Sequence, residues 1–274
     1  MVSIDKARAF VFQNGQLWER ALFSYLFDGG SLAHVHRCLL AYKNEDGGFG
    51  HGLEPDIKCP DSNPLALEFL LSVVRDTRLP VGDILDGTPE WVERNRNEDG
   101  SLKNPDNLHQ YPFAPWWSGG GQTIPDAIVG NLRRVGLSTP SLEQSTAKWA
   151  AEHLTVEKIV ANDWLFMAYH AHDYYLTMDD SEEVRPYKEA AIRNIIKCTE
   201  QAPEKSKFVL LHFASRPDNE VSRALPPELL QSVLDHVEQS QREDGGWDDE
   251  HGLPYWQPYF TTMVLWALKN HNRL

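Results

Sequence analysis

Apolar residues recur along this chain with the spacing of amphipathic helices. One stripe along a helix face consists of Leu32, Val35, Leu39 and Leu40. A second stripe of this kind runs through residues 229–237. Almost no segment alternates apolar and polar residues, which is the pattern of a half-buried strand. The distribution of apolar residues therefore predicts an all-α protein.

Further helices are predicted wherever the same periodicity continues. They cover residues 5–27, 64–74, 88–96, 125–135, 141–153, 157–177, 182–200, 206–215 and 259–268. Residues 14–15 (Asn-Gly) could break the first of them, and Asn63 or Ser62 could cap the helix that starts at Pro64. Amphipathic helices alternate with more apolar ones, as expected where an outer ring covers an inner ring. We therefore expect a single domain over residues 1–274, an (α/α)6 toroid of about six helix pairs.

One short phrase recurs three times, each time after a segment with helical periodicity. The copies are residues 44–49 (Asn-Glu-Asp-Gly-Gly-Phe), 97–102 (Asn-Glu-Asp-Gly-Ser-Leu) and 242–247 (Arg-Glu-Asp-Gly-Gly-Trp). Their glycines allow the left-handed conformation that often ends a helix, and the aspartates favour a turn. The phrase therefore predicts the end of an outer helix and the loop to the next inner helix.

These phrases resemble the repeats of a known superfamily. Gln241 followed by residues 245–247 (Gly-Gly-Trp) resembles the Gln–Trp repeat of squalene and hopene cyclases. Residues 46–50, followed by Pro55-Asp56 and an apolar helix, are similar to repeats of protein prenyltransferase β subunits. The resemblance is clear over residues 44–74 and 239–269 and weak over 97–135. It implies an α/α toroid with an axial cavity that holds a small-molecule ligand such as an isoprenoid.

The catalytic motifs of that superfamily are missing or altered in this sequence. No Asp-x-Asp-Asp motif, which donates the proton in triterpene cyclases, is present. The Asp-x-Cys zinc ligands of the prenyltransferases have only residues 56–59 as a counterpart, with one residue too many. Residues 179–183 match the ionisation motif Asp-Asp-x-x-Asp/Glu, but they lie where carboxylates favour the start of a helix. The sequence therefore assigns no metal ligands and leaves the cofactor unknown.

The best candidates for catalysis are ionisable residues beside the predicted inner helices. His51, Glu54 and Asp56 follow the first phrase and could act as acid and base or bind a metal. Alternatively, the two carboxylates cap the next helix or pair with an arginine. Asp126 and Asp163 lie at the predicted starts of two further inner helices.

Aromatic residues near those positions are candidates for binding a substrate. Trp116 and Trp117 precede three glycines, and they could form a stacking platform or act as packing wedges between helices. The other candidate substrate-binding residues are His109, Trp164, Tyr169, Trp256 and Tyr259. His170 and His172 are two positions apart on a predicted helix, so they should point in different directions.

Composition narrows the class of partner. Lys and Arg number 26 against 40 Asp and Glu, which gives a net charge of −14. Such an acidic chain is a poor ligand for nucleic acid or for anionic membranes. Three cysteines, no apolar run typical of a signal peptide and no apolar stretch of membrane-spanning length favour a cytoplasmic protein. The oligomeric state stays open.

Three functions remain open at this stage. The first is an enzyme for an isoprenoid or another apolar small molecule, because aromatic walls stabilise carbocations. The second is a carbohydrate-active hydrolase or lyase, which needs two carboxyl groups roughly 5–10 Å apart. The third is a toroid without catalytic activity that binds a small molecule or a protein.

Overall fold

The computed structural model describes residues 2–118 and 122–274, and it is helical along most of that length, which confirms the all-α prediction. The α-helices are α1 (Ile4–Asn14), α2 (Leu17–Phe27), α3 (Leu32–Leu40), α4 (Pro64–Thr77), α5 (Thr88–Arg94), α6 (Asp126–Arg134), α7 (Pro140–His153), α8 (Val156–Ala161), α9 (Tyr169–Tyr175), α10 (Arg185–Gln201), α11 (Leu210–Phe213), α12 (Glu220–Ala224), α13 (Pro227–Gln239) and α14 (Gln257–Asn270). Short 3-10 helices span Leu108–Gln110, Pro115–Trp117, Phe166–Ala168 and Glu204–Val209. Strands β1 (Leu102–Lys103) and β2 (Gln122–Thr123) form one small antiparallel pair. No helix in the described ranges is both long enough and apolar enough to cross a membrane.

The chain divides into two compact units. The first unit contains Met1–Cys38, Asn162–Met167 and Ile192–Leu274, and the second contains Leu39–Ala161 and Ala168–Ala191. In the first unit α14 packs against α1, α2, α11 and α13. In the second unit α6 packs against α4, α7 and α9. The predicted single domain over residues 1–274 stays a prediction.

Two predicted helix boundaries are confirmed. The first helix breaks at Gly15, whose amide donates to the Val11 carbonyl at 2.8 Å and closes α1. Asn63 caps α4, because its Oδ1 accepts a hydrogen bond from the Ala66 amide at 2.9 Å. The capping role that Glu54 or Asp56 could have taken at α4 therefore belongs to Asn63.

The three copies of the phrase form the same turn, which we call the repeat turn (residues 44–49, 97–102 and 242–247). In the first copy the Asn44 amide donates to the Gly48 carbonyl at 2.9 Å, and the Gly47 amide donates to Asn44 at 3.1 Å. The equivalent bonds are Asn97 to Ser101 at 2.8 Å, Gly100 to Asn97 at 3.1 Å, Arg242 to Gly246 at 3.0 Å and Gly245 to Arg242 at 3.0 Å. The left-handed glycines are Gly47, Gly100 and Gly245, with φ of 93°, 92° and 95°. The first glycine of each copy is therefore left-handed, as predicted, but it does not end a helix: α3, α5 and α13 end earlier, at Leu40, Arg94 and Gln239.

The side chain of the residue before each repeat turn donates a hydrogen bond to a backbone carbonyl near the start of another helix of the same unit. Lys43 Nζ donates to the Ile84 carbonyl at 2.8 Å, just before α5. Arg96 donates to the Ser141 carbonyl of α7 at 3.0 Å, and Gln241 Nε2 donates to the Ser3 carbonyl before α1 at 3.0 Å. Three different side-chain groups, those of Lys43, Arg96 and Gln241, thus make the same kind of hydrogen bond to a backbone carbonyl.

The predicted helix over residues 157–177 is wrong in its middle part, where Asn162 interrupts it. The Asn162 side chain donates to the Trp164 carbonyl at 3.0 Å and accepts from the Trp164 amide at 3.3 Å. Asparagine side chains compete in this way with helical hydrogen bonds. The chain therefore leaves α8 at Ala161 and becomes helical again only at Phe166. Asp163 and Trp164 consequently lie in a loop and do not start the aromatic helix.

Candidate functional site

Ionisable side chains gather inside the second unit, where α6 packs against α4 and α9. We define the central cluster as Glu68 on α4, Asp126 at the start of α6, and Tyr169 and His170 at the start of α9. Two of these residues, Asp126 and Tyr169, were candidates from sequence. The cluster is the main concentration of polar groups that we consider for catalysis.

Asp126 and His170 form a buried pair. His170 Nδ1 donates to Asp126 Oδ1 at 2.8 Å, and the Ala127 amide donates to the same oxygen at 2.5 Å. Asp126 is 0% exposed, and its Oδ2 has no hydrogen-bond partner within the described part of the chain. Burial lowers the pKa of His170, but the charge and hydrogen bond of Asp126 outweigh burial, so the pKa is raised above its ordinary value. The pair therefore favours a positively charged imidazole and leaves one carboxyl oxygen available.

Glu68 and Tyr169 form the second half of the central cluster. The Tyr169 hydroxyl donates to Glu68 Oε2 at 3.2 Å, whereas Glu68 Oε1 lacks a partner among the residues described. Burial raises the pKa of Glu68 to about 7, since the lowering effect of the His170 charge is smaller. The Tyr169 ring lies against that of His170 in a tilted arrangement, with 4.0 Å between ring centroids and 32° between the ring planes. Glu68 is therefore a carboxylic acid with a substantial protonated fraction at neutral pH, which suits a general acid.

Asp173 provides a contrast, because it is buried and fully hydrogen-bonded. Its Oδ2 accepts from Arg75 at 2.6 Å and from Asn131 at 2.7 Å, and its Oδ1 accepts from His172 at 2.7 Å. Burial raises the pKa of Asp173, but Arg75 and His172 together hold it well below the usual range. A buried charge with every oxygen paired is typical of a structural ion network. His172 thus belongs to this network and His170 to the central cluster, so the two histidines have different partners as expected.

A second group of polar residues lies in the turn that follows the first repeat turn. Asp56 Oδ2 accepts a hydrogen bond from Trp116 Nε1 at 2.9 Å. Glu54 is 7% exposed, and its Oε2 has no hydrogen-bond partner in residues 2–118 or 122–274. Burial and then the Asp56 charge raise the pKa of Glu54 well above its ordinary value. The charge of Glu68 contributes in the same direction, so the two groups of carboxyls influence each other.

The two adjacent tryptophans have different environments. Trp116 is 51% exposed, whereas Trp117 packs against a small core made by Ile57, Cys59, Leu65 and Leu108. His109 Nε2 lies 2.8 Å from the Trp117 carbonyl and is held there at the surface. Trp117 therefore acts as a packing residue, and a role of Trp116 as a stacking platform stays a prediction. The glycines at 119–121, where a flexible link was expected, lie outside the described residues.

His51 lies at the surface beside the repeat turn. Its φ of 57° is left-handed, and its Nε2 lies 2.9 Å from Asn44 Oδ1. The imidazole is exposed. Its observed contact is therefore with the turn, and a catalytic role for His51 stays a prediction.

The remaining candidates from sequence belong to the first unit. Asp163 and Trp164 are exposed in the loop after α8, and the Trp164 ring packs 5.5 Å from Phe166. Tyr259 is buried on α14, with its ring 6.1 Å from that of Trp256. These residues are not part of the central cluster, and their proposed role in binding remains untested.

Sequence reasoning missed Glu68 and did not select His170. A signal for Glu68 existed, because it is the only charged residue in the apolar stretch of residues 64–74. A lone charge in such a helix is costly to bury and favours a functional role. No feature of the sequence indicated that His170 pairs with Asp126, because the two residues are 44 positions apart.

Metals and known families give no further assignment. No group of three or more His, Cys, Asp or Glu that could hold a metal ion occurs in the described part of the chain. Residues 179–183, which match the ionisation motif, are exposed just before α10. No protein-family model matches the chain, and a search of curated proteins gives no match.

Proposed function

We propose that this protein is an enzyme that cleaves a glycosidic bond by acid–base catalysis, with Glu68 as the acid and Asp126 as the base. One observation carries the proposal. Three carboxyl groups of the second unit, those of the buried Glu54 and Asp126 and of the half-buried Glu68, each keep one buried oxygen without a hydrogen-bond partner in the described ranges. Leaving such atoms unpaired costs free energy, so they suit a ligand that brings hydrogen-bond donors. The hydroxyl groups of a sugar are donors of that kind.

The roles follow from the protonation states. Glu68, with a pKa of about 7, donates its proton to the glycosidic oxygen while the bond from that oxygen to the sugar carbon breaks. Asp126 Oδ2 accepts a proton from the water that attacks the sugar carbon. His170 holds the other Asp126 oxygen at 2.8 Å and thereby fixes the orientation of the base.

The charge of the site favours a neutral substrate. Glu54, Glu68 and Asp126 are acids, and the nearby Arg75 is engaged by Asp76 at 2.7 Å and Asp173 at 2.6 Å. A diphosphate, which needs uncommitted cations or a metal, is therefore disfavoured. A glycoside is therefore favoured over an isoprenoid diphosphate as the substrate.

Protonation of a neutral isoprenoid is the second candidate. Its support is the resemblance of the repeat turns to those of terpenoid cyclases, together with the exposed ring of Trp116. Aromatic faces stabilise carbocations of the kind such a reaction generates. The same acid, Glu68, would donate the proton, so the substrate distinguishes the two candidates. A binding protein without catalysis is the third, and it predicts affinity without turnover.

We further propose the (α/α)6 toroid as the architecture, with the ligand in its axial cavity. The contacts of the repeat turns support it, since each of the first two copies contacts the second helix after it along the chain. Thr88 of α5 donates to the Gly47 carbonyl of the first copy at 2.8 Å, and Arg96, just before the second copy, donates to the Ser141 carbonyl of α7 at 3.0 Å. Only one helix, α14, follows the last copy in the chain. Gln241, the residue just before this copy, donates instead to the Ser3 carbonyl at the start of α1. That series is the one expected where a ring of helix pairs closes on itself.

The test is a turnover screen with neutral disaccharides, aryl glycosides and neutral isoprenoids. Glu68→Gln keeps the shape of the side chain and removes the acid, and Glu90→Gln, at an exposed position on α5, is the matched control. We expect glycoside cleavage by the native protein and by the control, and a loss of about 10²–10⁴-fold in Glu68→Gln. Turnover of an isoprenoid alone would select the second candidate, and equal activity of the two variants would refute the role of Glu68.

A further inference from the structure

A cavity of about 300 Å³ lies within the first unit, where α1 and the last repeat turn meet the start of α14. Its walls include Phe10 and Asn14 of α1, Arg242 and Asp244 of the turn, and Gln257 of α14. A volume of this size is at the lower end of the range for small-molecule sites. The central cluster belongs to the second unit, so none of its residues lines this cavity.

The last repeat turn differs from the other two copies at its first position, where Arg242 replaces an asparagine. Asn44 and Asn97 occupy this position in the other copies, and their turns make the same backbone hydrogen bonds. The turn itself therefore does not require an arginine. The Arg242 guanidinium lies 5.0 Å from the centroid of the Phe10 ring. Gly246 makes room for this contact, since a Cβ there would come within 2.8 Å of the ring and 2.9 Å of Arg242 Nη2.

The charge of Arg242 is more than balanced by two carboxylates. Asp244 accepts from Arg242 Nε at 3.2 Å and from Nη2 at 2.9 Å, and Asp248 accepts from Nη1. One guanidinium and two carboxylates leave a net negative charge beside the cavity. An anion would meet a guanidinium that is already engaged, so the cavity favours a cation.

Two amide side chains at the cavity are oriented by their hydrogen bonds. Asn14 Nδ2 donates to the Phe10 carbonyl at 2.9 Å, and Gln257 Nε2 donates to Asp248 Oδ1 at 3.2 Å. A carbonyl and a carboxylate only accept hydrogen bonds, so the amide nitrogens must face them. The amide oxygens, which are acceptors, are then the groups that can bind a ligand. Acceptors combined with a negative charge complement a cation that carries N–H donors.

We propose that this cavity binds a small organic cation that donates N–H hydrogen bonds, such as a short diamine or a guanidinium compound. Its N–H groups bond to the amide oxygens of Asn14 and Gln257, and its charge is balanced by Asp244 and Asp248. A quaternary ammonium ion is not a ligand, because it has no N–H donor. Binding here is independent of the proposed glycoside cleavage.

The experiment measures binding to the protein by isothermal titration calorimetry at low ionic strength. The probes are putrescine, which has two primary ammonium groups, and agmatine, which has an ammonium and a guanidinium group. Tetramethylammonium is the cation without N–H donors, and succinate and glucose are the anionic and neutral comparisons. Asp244→Asn and Asp248→Asn each remove a charge and keep an acceptor oxygen, whereas Gln257→Leu removes an amide oxygen. Glu228→Gln is the matched control, since Glu228 is an exposed carboxylate on α13 of the same unit and does not line the cavity.

We expect putrescine or agmatine to bind, and tetramethylammonium, succinate and glucose not to. Asp244→Asn, Asp248→Asn and Gln257→Leu should each raise the Kd by about tenfold, and Glu228→Gln should leave it unchanged. No binding of putrescine or agmatine, or equally tight binding of tetramethylammonium, would overturn the site. The same Kd in Asp248→Asn and Glu228→Gln would also overturn it.

Melting temperatures of the ligand-free variants separate binding from folding. Asp244 also accepts from the Gly246 amide of the turn at 3.0 Å, so Asp244→Asn could lower the stability. Asp248 lies outside the repeat turn, and the Kd of Asp248→Asn decides the result in that case. Binding is measured without turnover, so the outcome does not depend on whether Glu68 is a catalytic acid.

Discussion

Asp126 Oδ1 accepts a hydrogen bond from His170 Nδ1 at 2.8 Å, while the second oxygen of the same buried carboxyl group is left without a partner in the described residues. Asp173 lies on α9, three residues after His170, and both of its carboxyl oxygens accept hydrogen bonds. Burial does not distinguish the two aspartates, which are 0% and 1% exposed. They differ in the number of carboxyl oxygens that lack a partner in the described residues, which is one in Asp126 and none in Asp173.

This difference predicts opposite effects of the same substitution at the two aspartates. Asp126→Asn should reduce kcat at least about a hundredfold, because the base is lost, and should lower the stability by only about 1 kcal/mol. Asp173→Asn should lower the stability by about 3 kcal/mol, because it removes one of the two counter-charges of the buried Arg75 and leaves only Asp76. Denaturant unfolding and steady-state kinetics of both variants check this. A large loss of stability in Asp126→Asn with normal kcat would make it structural.

Glu68 should make the stability depend on pH. Its pKa is raised from 4.5 in the unfolded chain to about 7 in the folded protein, so the folded state holds the proton more tightly. The stabilisation that comes from the neutral acid is therefore complete below pH 4.5 and is lost as the pH rises to about 7.

Glu68→Gln removes this dependence, since the amide stays neutral. The variant should match the native protein at low pH and exceed its stability by about 1–3 kcal/mol above pH 7, at about 1.36 kcal/mol for each pKa unit. Thermal unfolding across this pH range measures the difference. A constant difference at every pH would show that the Glu68 pKa is not raised.

The raised pKa of Glu68 should also determine how kcat/KM depends on pH. A general acid must be protonated, so kcat/KM should fall as the pH rises through about 7, with Glu68 as the titrating group. Glu68→Gln should lose this alkaline limb together with most of the activity. An alkaline limb that persists in the residual activity of Glu68→Gln would assign it to another group.

The repeat turns predict a graded effect of alanine at glycine. Gly245 has a φ of 95°, and an added Cβ would overlap the backbone of Lys6 on α1. Gly136 has a φ of 75° but open space around it, so it is the control for backbone strain alone. Gly245→Ala should therefore lower the melting temperature clearly more than Gly136→Ala. Similar shifts would mean that the contact with α1 contributes little.

The sequence predicted those features that depend on local rules. The stripe on α3, the cap at Asn63 and the break at Gly15 each follow from spacing and residue type within a few positions. The repeat turn was recognised because three copies share its aspartate and glycine. Which of the two adjacent glycines adopts the left-handed conformation could be determined only from the structure, where it is Gly245 and not Gly246.

The site was predicted only in part, because its contacts are distant in sequence. Glu54, Asp56 and Asp126 were selected as carboxylates beside inner helices, whereas the proton donor that we propose, Glu68, was not selected. Tyr169 and Glu68 are 101 residues apart, so their hydrogen bond could not be read from spacing. The helix predicted over residues 157–177 was wrong, because the side chain of Asn162 forms hydrogen bonds with the backbone that replace those of a continuous helix.

The central claim is that Glu68 donates a proton to the leaving group of a glycoside. The most direct measurement compares kcat/KM of the native protein and Glu68→Gln on a plain disaccharide and on the dinitrophenyl glycoside of the same sugar. A dinitrophenolate leaves without a proton, whereas a sugar alkoxide does not. We predict a loss of about 10²–10⁴-fold on the disaccharide and a much smaller loss on the dinitrophenyl glycoside. Equal losses on the two substrates, or none, would contradict the account.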